Sequence, residues 1–363
     1  MSIEYSQHRA TRVIIDTAAY KHNLQRVKGI IPEGQVMAVI KANGYGHGMT
    51  VAAQNLDEAD EFGVTDFDDV QSLRAQGVAK PVTLLSSSFN SEDLALFSQQ
   101  GVRPVVYDYT QLAMFDDLPS KTSLDVWLKV DTGMGRLGFS IDEAHTALAR
   151  LTALSVINSV SVMSHLANAD QPEHPENQLQ FTRFTEFVAS HSFSQASILN
   201  SAGTIGFSEQ AHDMVRPGLM LYGISPLNDS PAYDLGLQPV MTFTSEVISV
   251  RSLPAGSSIG YGSSYSLDAD TRVAVISAGY GDGYPRHAPS GTPVLINGML
   301  VPLIGRVSMD LISVDLGGVA AQVGDSAVLW GEGNPIENIA QLAGTIPYEL
   351  TCGITSRVER VII

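Results

Sequence analysis

Apolar residues fall along this chain in two textures. Between residues 35 and 216 short apolar runs recur, at 35–40 (QVMAVI), 61–65 (EFGVT), 81–85 (PVTLL), 102–106 (VRPVV), 124–130 (LDVWLKV), 158–164 (NSVSVMS), 196–200 (ASILN) and 213–216 (DMVR). Amphipathic stretches separate them, among them FDDVQSLRAQG, SIDEAHTALARLTAL and ENQLQFTRFTEFVASH. Short apolar runs predict buried strands, and the longer amphipathic stretches predict helices. Ser140 with Glu143 three residues on is the reciprocal cap that starts such a helix. Ahead of the series, VIIDTAAYKHNLQRVKGIIP (13–32) reads as one more capped helix.

Eight strands in uninterrupted alternation with helices are the count of a (β/α)8 TIM barrel, placed here at residues 12–232. An open doubly wound sheet is the rival, and the single unbroken series favours closure. From residue 233 to 363 the texture becomes β-branched runs with Gly and Pro turns, as in VMTFTSEVISVRSLPAGSSIGYG. Asn297-Gly298 inside LINGML is a hairpin signal. Helical patterning returns only in NPIENIAQLAG. The expectation is a barrel followed by a mostly β C-terminal domain, with the segment 1–11 packing on the latter.

Composition narrows the field. At 363 residues with 44% hydrophobic and 16% charged residues, the chain reads as globular. A net charge of -17 argues against nucleic acid or an anionic membrane as partner, because those surfaces are met by basic patches. One cysteine, Cys352, rules out an internal disulfide and a multi-thiolate metal site, and no metal is expected. No apolar run approaches the ~18 residues of a membrane span, and the N-terminus MSIEYSQHRATRVIID lacks a signal-peptide core. A cytoplasmic address is expected.

In barrels the reactive residues sit where strands end. Lys41 closes the first run in AVIKANGYGHG, and Lys129 and Arg136 flank the loop after the fifth, KVDTGMGRLG. His165 follows the sixth in SHLANAD, Asn200 and Ser201 close the seventh, and Arg216 and Gly218 close the eighth in VRPGLMLYG. A lysine and a glycine-serine cradle at one mouth suggest pyridoxal phosphate held as a Schiff base. Each residue also has a plainer reading: Lys41 as a solvated charge, His165 as a structural histidine, Arg216 as a carbonyl cap. GMGRLG (133–138) has the spacing of a dinucleotide loop, but it lies mid-series and ahead of its helix rather than opening it. In the β domain, Tyr261, Tyr280 and Tyr284 sit in glycine-rich loops, and GRVSMD supplies Arg306, Met309 and Asp310.

The segments AVIKANGYGHG, KVDTGMGRLGF, SHLANAD, NSAG, VRPGLMLYG, GYGSSY, AGYGDGYPRH and GRVSMD occur in this order. Together they make the chain resemble the alanine racemases, pyridoxal-phosphate enzymes of fold type III. The resemblance implies a head-to-tail homodimer in which each barrel mouth is completed by the β domain of the partner. It implies that Lys41 binds the cofactor and serves as base at the Cα–H of D-alanine, while Tyr261 of the partner subunit serves the opposite face. Arg216 matches the residue facing the pyridine nitrogen, and His165 the bridge from Arg216 toward that tyrosine. Tyr45, Ser201 and the Gly218 backbone match phosphate ligands; Arg136 and the Met309 backbone match holders of the substrate carboxylate. Lys129 matches a position carbamylated in family members. Asp170, Tyr280, Arg286, Arg306 and Asp310 match supporting or entrance positions.

One departure is expected to matter. Some members carry a phosphate-binding tyrosine at the place of Ser356, in CGITSRVER, and its loss predicts a wider mouth. Other readings remain beside the leading one. A broader amino-acid racemase, acting for instance on serine, shares every motif. A fold-type III decarboxylase would place an acid where Arg216 stands. A pyridoxal-phosphate carrier would lack the β domain.

Overall fold

The computed structural model describes residues 9–116 and 118–363. The eight runs are strands: Gln35–Val39, Glu61–Val64, Val82–Leu84, Val102–Val106, Leu124–Lys129, Ile157–Met163, Ala196–Ser197 and Met214–Val215. The first seven pair in parallel, each with the next, and the eighth pairs with the first through Gln35↔Met214 and Val36↔Val215. The seventh and eighth are joined by the Arg216 N–H donating to the Leu199 carbonyl at 2.9 Å rather than by a ladder. The result is a nearly closed barrel, and its thinnest stretch of wall leads into Ser201, Arg216 and Gly218.

The barrel interior is filled. Met37, Val105, Trp127, Met163 and Met214 make one buried layer. Beneath it Arg103 pairs with Glu61 at 2.7 Å, reaches Ser161 and Gln195, and lies 4.8 Å from the Trp127 ring centre. A charge this enclosed is tolerated only because it is paired and hydrogen-bonded. The helices Phe67–Ala75, Ile141–Ala153 and Pro175–Ala189 stand where the amphipathic stretches put them. Ser140 and Glu143 each accept from the other's N–H.

The segment 13–32 is not one helix. Arg12–Ile15 is a strand, and the helix is Thr17–Ile30, capped by Asp16 accepting from the N–H groups of Ala18 and Ala19. Val13 and Ile15 are buried while Arg12 is exposed, the two-residue alternation of a strand, and the Asp16 cap ends it. This strand pairs antiparallel with Met241–Leu253 and parallel with Glu359–Ile362, so it belongs to the C-terminal sheet although the chain then enters the barrel. Arg9 and Thr11 also bond to that domain, at Asp282 and Ser245; residues 1–8 lie outside the described residues.

In the β domain the long strand Met241–Leu253 bends at a bulge between Val247 and Ser249. The hairpin Pro293–Ile296 to Met299–Ile304 turns on Asn297 and Gly298, both at positive φ. Ile336–Ala343 is helical as expected, and a second short helix, Pro347–Cys352, follows it. That second helix leans over the barrel mouth and sets Tyr348 against Tyr45, ring centres 5.6 Å apart.

Candidate active site

Lys41 leaves the first strand into an unusual turn. Ala42, Asn43, Gly44 and Tyr45 follow it with φ of 52, 53, 59 and 51°, a short left-handed helix. For L-residues this costs about 1–2 kcal/mol each, so the surroundings must impose it. Gly44 N–H donates to Ile40 O at 2.9 Å and Gly46 N–H to Ala42 O at 3.1 Å. The Asn43 side chain accepts from Met49 N–H at 3.0 Å, and the buried His47 ring bonds the Tyr45 carbonyl at 3.0 Å. The turn tucks Tyr45 under the mouth.

The mouth is a cavity of about 540 Å³. Lys41, Tyr45, Lys129, Arg136, His165, Ser201, Arg216 and Gly218 all line it, so the strand-end residues converge as expected. Lys41, Lys129, Arg136 and Arg216 bring four cationic side chains, and among the described residues no carboxylate lines the cavity. In a chain carrying -17 overall, such a pocket is built for anions.

Crowding among these groups shifts their protonation. Burial, and then the Arg136 charge, lowers the Lys41 pKa. Burial and then Arg216, Arg136 and Lys41 bring Lys129 down to about 7. His165 is pushed well below its ordinary value by burial and by the same cations, so it is a neutral imidazole. Arg216 falls to about 10 by burial and stays a cation; it donates to Ser197 Oγ at 2.5 Å and to the Ser164 carbonyl.

Beside them lies a small cradle. Ser201 Oγ accepts from the N–H of Gly218 at 2.9 Å and from that of Met220 at 3.4 Å. A Cβ on Gly218 would come within 2.4 Å of the Tyr45 hydroxyl, so only glycine lets the tyrosine approach this loop. Tyr45 itself is buried, which raises its pKa and keeps it a neutral donor.

Other expected residues are not in this mouth. Tyr261, Tyr280, Arg286, Arg306 and Met309 are exposed on the β domain, with Asp310 half-exposed beside them. Gly260 and Gly262, on either side of Tyr261, face Arg306. Arg357 donates to the Met309 carbonyl at 3.3 Å and pairs with Asp282 and Asp310, while Arg9 pairs with the same two acids from the other side. Asp170 lines the neighbouring groove and accepts from Asn228 at 3.2 Å.

The mouth also holds a residue that sequence reasoning missed. Tyr348 lines it, and partial burial with the nearby Asp170 charge pushes its pKa up to about 12. Ser356 is not among the lining residues, and the aromatic wall of the mouth is made by Tyr45 and Tyr348. The one available signal was IPYE, a tyrosine in the first turn of a proline-started helix.

Residues 15–226 match the alanine racemase N-terminal domain and residues 240–362 the alanine racemase C-terminal domain. The chain belongs to the alanine racemase family. It is 43% identical over 353 residues to an alanine racemase of Vibrio parahaemolyticus, covering 97% of this chain and 98% of that one. It is 44% identical over 353 residues to the biosynthetic alanine racemase of Escherichia coli K12, covering 96% and 98%. The crystal structure of biosynthetic alanine racemase from Pseudomonas aeruginosa superposes with a TM-score of 0.94 at 38% identity, covering 98% of this chain and 99% of that one. Alanine racemases are isomerases that depend on pyridoxal phosphate. The site fits that group: a lysine amine of lowered pKa, a glycine-serine cradle under a neutral tyrosine, and four cations in a lining without carboxylates among the described residues.

Proposed function

We propose that this protein interconverts L- and D-alanine with bases on opposite faces of the substrate, Lys41 of one copy and Tyr261 of a second. The observation that carries the reading is the carboxylate-free, four-cation mouth into which the Lys41 amine opens. Both the cofactor phosphate and the substrate carboxylate are anions, and such a mouth binds both. When bound, pyridoxal phosphate supplies the electron-withdrawing ring that makes the substrate Cα–H acidic.

The chain's own residues do the rest. Lys41 is the amine that would hold the cofactor, and with its pKa lowered by burial it can remove or return a proton at Cα on one face. Tyr45, Ser201 and the Gly218 loop would hold the phosphate, with Tyr348 closing over them. Arg136 takes the substrate carboxylate, joined by the Met309 backbone of the second copy. Arg216, a buried cation that matches the family's arginine facing the ring nitrogen, would disfavour a proton there and so restrain side reactions such as transamination. Neutral His165 next to Arg216 can relay that polarity toward Tyr261.

The role assigned is supply of D-alanine for the cell wall, in the cytoplasm, where a lone thiol such as Cys352 stays reduced. Support comes from the biosynthetic relatives of Escherichia coli and Pseudomonas aeruginosa. The test pairs an absorbance spectrum with alanine racemisation in wild type and Tyr261→Phe. A cofactor band in both proteins, with racemisation lost only in the variant, supports two bases. A band with alanine untouched moves the substrate to another amino acid, and no band after added cofactor sinks the role of Lys41.

A further inference from the structure

The loop between the fifth strand and the helix Ile141–Ala153 closes on itself. Asp131 N–H donates to the Phe139 carbonyl at 2.8 Å and Phe139 N–H to the Lys129 carbonyl at 3.0 Å, so the chain leaves the barrel and returns to the same place. Gly138 permits the return: it stands at φ +123, and a Cβ there would lie 2.8 Å from the Asp131 nitrogen. Arg136 sits on the returning arm, exposed at the mouth, and takes part in none of the ion pairs among the described residues. Its aim is therefore set by the backbone beneath it.

Two anchors hold that backbone. From behind, the Thr132 hydroxyl meets Ser164 Oγ at 2.8 Å and accepts from Gln180 Nε2 at 3.2 Å, while its carbonyl accepts from Arg183 at 2.7 Å. From within, the Asp131 carboxylate gathers three successive N–H groups. Oδ1 accepts from Gly133 and Met134 at 2.9 Å each, and Oδ2 accepts from Gly135 at 2.9 Å. The next residue is Arg136. Two glycines in so short a stretch leave many conformations open, and three charge-assisted bonds to one carboxylate select among them.

The anchor at Thr132 does not use the Asp131 carboxylate, and the bonds to Phe139 use backbone atoms alone. Losing that carboxylate thus frees only residues 133–136 and leaves the rest of the loop in place. We propose that Asp131 is a positioning residue that aims Arg136 at the substrate carboxylate, acting through these hydrogen bonds rather than through its charge. The inference rests on the carboxylate-binding role given to Arg136 above. The Asp131 charge also raises the Lys129 pKa, so geometry and charge need separate variants. Asp131→Asn keeps an oxygen at the Oδ1 position and drops the charge. Asp131→Glu keeps the charge and moves both oxygens out by one methylene. Asp131→Ala removes both.

The probes are propionate, which is alanine without its amine, and neutral propionamide. Their binding to the cofactor-loaded enzyme is read by calorimetry and ligand-detected NMR, without turnover. The ratio of the two affinities reports the carboxylate contact, because general damage to the mouth weakens both. Wild type should prefer propionate, and Arg136→Ala should lose that preference. Asp131→Ala and Asp131→Glu should each cut it about tenfold, while Asp131→Asn should keep it within about twofold. With alanine as substrate, KM should rise about tenfold in the Ala and Glu variants and kcat stay within about threefold, the mark of lost uniform binding. If Asp131→Ala fails to fold, Asp131→Glu carries the test. An undiminished preference in either overturns the positioning role. A loss in Asp131→Asn as large as in Asp131→Glu overturns hydrogen bonding as its means. A preference that is missing from wild type, or that survives in Arg136→Ala, removes the role of Arg136 itself and the role of Asp131 with it.

Discussion

Lys129 is an awkward place for an ammonium. It is buried, and Arg216, Arg136 and Lys41 all act on it, with only Asp131 opposing them. With its pKa near 7, a large share of the amine is neutral and nucleophilic at physiological pH. Addition of carbon dioxide would turn an unwelcome cation into an anion among cations, a gain against Arg216, Arg136 and Lys41 that outnumbers the one loss against Asp131. A carbamate resonance is therefore expected after equilibration with isotopically labelled bicarbonate and should be missing in Lys129→Ala; its absence from wild type would discard the modification. The unmodified apoprotein makes a second prediction with a definite sign. The unfolded lysine titrates near its ordinary 10.5 and the folded one near 7, so between these the unfolded chain binds more protons. Stability contributed through this group must then rise with pH across that window, and the cost of burying the charged form is in full force below it. Thermal midpoints of Lys129→Met should depend less on pH between about 7 and 10 than those of wild type; parallel curves would contradict the assignment.

Among elements, the short helix Pro347–Cys352 and the left-handed turn after Lys41 act as a pair. Gly46 ends the turn at φ +82, and a Cβ there would lie 2.0 Å from the Thr351 carbonyl oxygen. Gly46→Ala must push the helix off the mouth and draw Tyr348 away from Tyr45. The variant should lose more than about 1 kcal/mol of stability and bind cofactor about tenfold or more weakly, read by urea titration and by cofactor absorbance. Unchanged cofactor affinity would mean that Tyr348 contributes nothing to retention. The legibility of the two elements differed for a physical reason. Lys41 and its strand were readable because an apolar run ending in a lysine has a local signature. The helix has six residues, less than two turns, too few to show a period, and Tyr348 reaches the mouth from the other domain. Arg12–Ile15 was misread likewise: four residues of strand merge into the helix behind them, and their partners lie more than 200 positions away. The barrel strands were local facts, whereas the closing wall of the site is a long-range one.

At the scale of the molecule the open question is where the second base comes from. Inversion at Cα needs a proton donor or acceptor on each face, and one chain brings Lys41 to the mouth while its own Tyr261 lies outside it. Tyr261 is 70% exposed, Met309 53% and Tyr280 40%, clustered with Arg306 on the β domain. A patch of that kind on an acidic protein is suited to meeting a second copy. If each mouth takes Tyr261 from the other chain, two crippled proteins can repair one another. A Lys41→Ala chain retains a good Tyr261, and a Tyr261→Phe chain retains a good Lys41. In a mixed dimer one mouth gathers both defects and the other gathers neither. Random exchange of equal amounts makes half of the dimers mixed, each with one of two sites intact, so activity should return to about a quarter of wild type. Sites confined to single chains would recover none. The exchange must be verified separately, for example by tagging one variant and co-purifying the other, because dimers that never dissociate would mimic that result. Since copies bearing -17 each repel one another, association should also tighten with added salt, which makes low ionic strength the condition for exchange and moderate salt the condition for assay.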